Sequence, residues 1–162
     1  HYAKGDIVMI GSIIGTVEFM NLRVTQLRTI DGKLVSIDNG SFTQAENLTS
    51  SWSGIKLTLD VAYQTNLDEA KKIIGEIAQE MEKDPDWEQY LIASPQILGV
   101  DAFGDNSIQI ALLIKTQPGK QWEVGREYRR RLKPAFDQAG ISIPFPQRSI
   151  WFENALPAKP LT

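Results

Sequence analysis

The sequence predicts an α+β chain in which a small all-β module is followed by an α/β sandwich. Three observations carry that expectation. Residues 5–52 are short apolar stretches cut by glycine, with no run at helical spacing. From Gly54 the text changes to strict alternation, Ile55, Leu57, Leu59, Val61 and Tyr63 against Lys56, Thr58, Asp60 and Ala62, the period of a strand with one buried face. Two later stretches place apolar residues three and four apart, as an amphipathic helix does.

In the first module, DIVMI, then SII between Gly11 and Gly15, then TVEFMNLRVTQLRTI read as short, strongly bent strands of a small β-barrel or half-barrel. Asp31-Gly32, between LRTI and KLVSI, predicts a two-residue hairpin turn with positive φ at both central positions. Asn39-Gly40 marks another turn, AENLTSSW reads as a last strand, and no helix is expected.

The second module opens on the alternating strand. Asn66, with Glu69 three residues later, resembles a capping box, and Leu67, Ala70, Ile74, Ile77 and Met81 make a helical stripe that stops near Asp84-Pro85. QILGVDAFG and NSIQIALLIKT predict a hairpin around Gly104, Asp105 and Asn106. A second helix carries Gly125, Tyr128, Leu132, Ala135, Phe136 and Ala139 on its apolar face and ends at Gly140. Pro134 inside it removes the hydrogen bond to the Arg130 carbonyl, at a cost of about 3 kcal/mol, and predicts a kink.

With one more strand the order is βαββαβ, the split pattern of ferredoxin-like sandwiches. That last strand is unusual, because Pro144 and Pro146 hold IPFP extended and project RSIWF away from the sheet. The expected divisions are 1–52 for the β domain, 53–146 for the α/β domain, 147–153 for the final strand and 154–162 for a frayed tail.

Composition narrows the function more by exclusion than by indication. Charged residues make up 23% of 162 residues and the net charge is −3, which argues against a nucleic-acid partner. Cysteine is absent and the sole histidine is His1, so thiolate or histidine metal sites and histidine-based triads have no material. Neither a P-loop nor G-x-G-x-x-G occurs, and no catalytic, cofactor-binding or metal residue is expected. Apolar runs such as Ile110 to Ile114 are too short to span a bilayer. The start at His1, with neither initiator methionine nor signal pattern, reads as a piece of a longer protein.

The carboxylate pairs Asp68/Glu69 and Asp84/Asp86 read as helix-start and loop features rather than acid–base machinery. Arg126, Arg129, Arg130 and Lys133 fall on one side of the second helix, with Arg131 beside them. They form either an anion-binding face or a solvated one paired with Glu123, Glu127 or a neighbouring subunit.

Taken in order, GDIV, GTVEFMNLRVTQLRTIDGKLVSIDNG, SSWSGIKLTLDVAYQTNLDEA and IKTQPGKQWEVGREYRRRLKPAFDQAGISIPFPQ closely resemble the cytoplasmic region of the small-conductance mechanosensitive channels, the MscS family. The resemblance covers residues 5–152. It implies a channel opened by bilayer tension in the inner (plasma) membrane, with pore helices upstream of this segment and the segment on the cytoplasmic side. It implies an Sm-like β domain and an α/β domain, assembled as a sevenfold homo-oligomeric cage. The final strand would join its copies in a barrel, making Arg148, Ile150 and Phe152 subunit-interface residues, and Arg126, Arg129 and Arg130 a cage wall or solute portal. Where the family has Pro-Asn-Gly, this chain has Asp38-Asn39-Gly40, which keeps the turn residues and loses the proline. No cofactor is implied.

Two other readings compete. The βαββαβ order also belongs to small acylphosphatase-like hydrolases, with Arg126 or Arg148 and Asn106 as phosphate ligands, or to a solitary ligand-binding α/β domain. Those enzymes place an arginine in a glycine-rich loop after the first strand, where this chain reads AYQTNLD. An Sm-like RNA binder is disfavoured by the negative net charge.

Overall fold

The computed structural model describes residues 1–148 and 150. Five strands, β1 (Ile7–Ile10), β2 (Ile13–Met20), β3 (Val24–Arg28), β4 (Leu34–Asp38) and β5 (Ala45–Asn47), form one antiparallel sheet in the order β4-β3-β2-β1-β5. Alternation places Val8, Ile10, Val17 and Leu27 in a small buried cluster. Gly15 is required where β2 meets β3, because a Cβ there would lie 2.8 Å from the Arg28 carbonyl oxygen. β4 and β5 are the two edges and do not pair with each other, so the sheet is open and the half-barrel, rather than the closed barrel, is what forms.

Two turns differ from expectation. The β3–β4 connection spans residues 29–33, with the Gly32 N–H donating to the Thr29 carbonyl and the Thr29 N–H to the Lys33 carbonyl, and only Gly32 has positive φ. Asp31 keeps ordinary φ because its carboxylate accepts from the Thr29 hydroxyl and pairs with Lys33, which leaves glycine alone to take the left-handed position. Asn39-Gly40 lies in a 3-10 turn (Asn39–Ser41), the one helical piece of this module, and Gly40 is not left-handed.

The second sheet contains β6 (Ser53–Val61), β7 (Gln96–Phe103) and β8 (Ile108–Thr116) in the antiparallel order β6-β8-β7. Helices α1 (Leu67–Lys83) and α3 (Gln121–Gln138) cover one face and bury Leu57, Ile74, Met81, Ile110, Leu112, Tyr128 and Phe136 between the layers. The Asn66 carboxamide accepts from the Asp68 and Glu69 N–H groups, as its cap position predicts. Pro85 does more than stop α1. It starts α2 (Pro85–Glu88), whose N-cap is Asp84, since a proline at the first helical position forfeits a hydrogen bond that was unsatisfied anyway. α3 is continuous through Pro134.

The strand expected after α3 does not form within residues 141–148. The Ala62 N–H donates to the Ser142 carbonyl, the one ladder-like bond to β6 in this stretch, and Ile141 is buried. Pro144 and Pro146 then offer no N–H, so the pairing cannot continue. The order of the three strands is nonetheless that of the ferredoxin-like sheet without its fourth strand.

Ser53 ties the two modules. Its hydroxyl donates to the Leu48 carbonyl at 2.7 Å and accepts from the Gly119 N–H at 3.1 Å, and the side chain is buried. Beside it the Lys115 ammonium sits 5.1 Å from the Trp52 ring centroid.

Candidate functional surfaces

Asn39 is a clamp as much as a turn residue. Its carboxamide oxygen accepts from the Thr25 hydroxyl at 2.7 Å, its amide donates to the Asn21 carbonyl at 2.7 Å, and its backbone N–H donates to the Arg23 carbonyl at 2.7 Å. Asn21 in turn accepts from the Arg23 and Val24 N–H groups. Thr25 is fully buried, and its hydroxyl lies 3.1 Å from that of Tyr2. One residue thus fixes the β2–β3 loop and the β4 end, and reaches Tyr2 through Thr25. The loss of proline at Asp38 leaves this network intact, because none of its bonds is made by residue 38.

The arginine-rich helix is not one uniform face. Arg131 points along the flank toward α1, where its side chain is 10% exposed and meets Glu127, Glu80 and Asp84. Arg130 forks onto Glu127 at 2.7 Å through two nitrogens. That bond, opposed by burial and reinforced by Arg131, holds the Glu127 carboxyl down at about 2. Hydrogen bonding to Arg131 lowers Asp84 as well. Burial pulls the Arg131 guanidinium down, but its bonds to Asp84 and Glu127 outweigh that and leave it raised. Lys133 pairs with Asp137.

Arg129 and Lys133 lie beside β6, and Trp122 and Arg126 border the β module near Ile14, Arg28 and Ile30. Arg126 has no carboxylate within ion-pair distance among the described residues, and it borders an apolar cleft with Trp122, Ile14 and Ile30. The paired Arg130 and Arg131 therefore serve the helix packing, and Arg126 and Arg129 are the arginines left exposed without a carboxylate partner among the described residues, Arg129 donating only to the Gly125 carbonyl. The Glu127–Arg131 contact is readable as an i, i+4 pair. Glu80 and Asp84 carry no comparable signal, being 51 and 47 residues away.

Asn106 accepts from the Gln147 N–H at 2.9 Å, at the opposite end of β8 from Gly119 and the start of α3. Arg126 and Asn106 are thus not brought together as phosphate ligands, whereas Arg148, the other arginine of that reading, directly follows Gln147. Ile143, Phe145 and Ile150 are exposed, as is Arg148. Phe152 and most of the expected barrel strand lie outside the described residues. Among the described residues there is no group of acidic or histidine side chains that could hold a metal, and no helix is long and apolar enough to cross a membrane.

Comparison with known proteins meets this architecture in register. Residues 1–50 match the family model described as the β-domain of mechanosensitive ion channels, and residues 55–143 match that described as the C-terminal part of the mechanosensitive ion channel MscS. The chain belongs to the MscS family.

Among MscS relatives, a small-conductance mechanosensitive channel of Caldanaerobacter subterraneus is 36% identical over 92% of this chain and 52% of its own length. An uncharacterised MscS family protein of Archaeoglobus fulgidus is 33% identical over 95% of this chain and 53% of its own length. The closed-state crystal structure of Helicobacter pylori MscS superposes with a TM-score of 0.77 at 25% identity, covering 95% of this chain and 60% of that one. Arabidopsis thaliana MSL1 shares the fold, with a TM-score of 0.59 at 17% identity. The chain thus spans about half the length of the curated MscS relatives it matches.

Proposed function

We propose that this chain is the cytoplasmic cage segment of a mechanosensitive channel that opens under membrane tension and releases ions and small solutes in osmotic downshock. One observation carries the reading: both MscS modules are matched in order along the chain, and the matched relatives include proteins named as mechanosensitive channels. On this reading upstream helices attach the segment to the inner membrane, and copies assemble as a homo-oligomer, a heptamer by family resemblance. The domains divide near residue 52, and the stretch 147–153 supplies the inter-subunit strand through Arg148, Ile150 and Phe152. Arg126, Arg129 and Arg130 line a wall or portal. No catalytic residue, cofactor or nucleic acid enters the function.

Exposed Ile143, Phe145 and Ile150 fit an oligomer-forming tail, because apolar side chains left exposed beside an extended proline segment offer a surface that another chain can bury. Native mass spectrometry of the chain over a range of concentrations tests the reading. A seven-membered species that is lost on Ile150→Asp supports it, and an unchanged oligomer in that variant removes the strand assignment.

A further inference from the structure

We propose that the Arg126 flank of α3 and the Glu82/Glu88 corner where α1 meets α2 are the two halves of a head-to-tail contact between copies of this chain. The inference rests on the homo-oligomeric reading above and assigns it a surface that is separate from the C-terminal strand.

The first half is the cleft of about 460 Å³ between the β module and the first turns of α3. Ile14, Ile30 and Trp122 give it apolar walls, and Arg126 stands at its border. Ile30 is fully exposed at the β3–β4 turn and Ile14 is half exposed. Arg28, also in the cleft, is neutralised by a bidentate bond to Glu18, so Arg126 is the uncompensated charge. An apolar surface beside one unpaired cation fits a partner that brings apolar side chains and a carboxylate.

The second half has that composition. Glu82 and Glu88 border a shallow depression with Leu91 and Ile92. Ile92 is half exposed, and neither glutamate has a cationic partner among the described residues.

The fold places the halves at one level and on opposite sides. The Ile92 N–H donates to the Lys115 carbonyl, and β8 ends one residue later, just before the turn that starts α3 at Gln121. Both halves therefore sit at the end of the α/β layer nearest the β module. Laterally they diverge. On α3, Gly125 and Arg129 lie against β6, where a Cβ on Gly125 would come within 2.8 Å of the Ile55 side chain. On α1, Gly75 lies against Ile97 of β7, and Glu82, two turns further on, shares that side. β6 and β7 are the opposite edges of the sheet. A contact joining two different patches on opposite edges is heterologous, and it repeats from copy to copy into a ring where the rotation between copies closes.

The test is a charge swap read by native mass spectrometry and sedimentation at low and high salt. Arg126→Glu and Glu88→Arg are each expected to weaken association at low salt by about tenfold or more, since each sets like charges face to face. The double variant is expected to recover wild-type association to within about threefold. Both side chains are exposed, and Arg126→Gln and Glu88→Gln, which add no charge, check the direction of each effect with smaller losses. Association unchanged in both single variants overturns this surface while leaving the oligomer standing. Weakening in the singles without recovery in the double overturns the pairing of Arg126 with Glu88. A wild-type chain that stays monomeric at every concentration overturns the surface and the assembly of this segment together.

Discussion

The Tyr128 hydroxyl, midway along α3, donates a 2.7 Å hydrogen bond to the Ile74 carbonyl, midway along α1. Both residues are fully buried, and burial pushes the Tyr128 phenol well above its ordinary value, so it remains a donor at any working pH. Tyr128→Phe keeps the ring and deletes the donor. The Ile74 carbonyl retains its helical partner, so the expected loss is about 1 kcal/mol, whereas Tyr128→Ala, which also opens a cavity, costs about 3–5 kcal/mol. Urea titrations should show the midpoint falling in that order with the slope unchanged in the phenylalanine variant.

Asn39→Ala should loosen the β2–β3 loop selectively. The Thr25 hydroxyl keeps Tyr2 as a partner, but the Asn21 carbonyl loses its donor. The cost is about 1–2 kcal/mol. Amide exchange of Asn39, Arg23 and Val24 should accelerate while that of the β8 core strand stays slow, and uniform acceleration of both sheets would contradict a local clamp.

How much of this was legible follows from how local each signal is. Asn66 capping α1 and the alternation through Leu57, Leu59 and Val61 involve neighbours in sequence, and the structure keeps them. The Tyr128 stripe was legible as a buried face, though its partner Ile74, 54 residues away, was not. Asp31-Gly32 gave the turn but not its form, because the Asp31 side chain chose Thr29 and Lys33 over a left-handed backbone. The arginine cluster was visible as charge, yet which members were spoken for depended on Glu80 and Asp84 of α1. Pro85 both ends α1 and begins α2, since the same ring suits both positions.

Glu127 predicts a specific acid sensitivity. Its carboxyl is held at about 2, chiefly by Arg130 and then by Arg131, against an ordinary value of 4.5. A depressed folded value means the pair stabilises the fold above the unfolded value. That contribution is lost as pH falls from about 4.5 through about 2. Arg130 is 70% exposed, so solvent screening keeps the contribution small. Glu127→Gln should flatten the fall in thermal midpoint over that window, and an equally steep fall in the variant would assign the acid sensitivity to other carboxylates.

Pro134 offers the opposite kind of change, a gain. The residue is exposed in the last turns of α3, between the buried Leu132 and Phe136, and its ring denies the Arg130 carbonyl a helical partner. Pro134→Ala restores an N–H and a better helix former without touching the core. Against this, the unfolded chain regains backbone freedom worth about 0.4–1 kcal/mol. Since an interior proline costs about 3 kcal/mol relative to alanine, the net expectation is a stabilisation of about 2–2.6 kcal/mol. Calorimetry should show a raised midpoint, and amide exchange of Pro134's neighbours in α3 should slow. A lowered midpoint would mean that the chain relies on a bend at Pro134 to aim Ile141 and the proline-rich segment along β6. The Ala62–Ser142 hydrogen bond would then be the first contact to weaken.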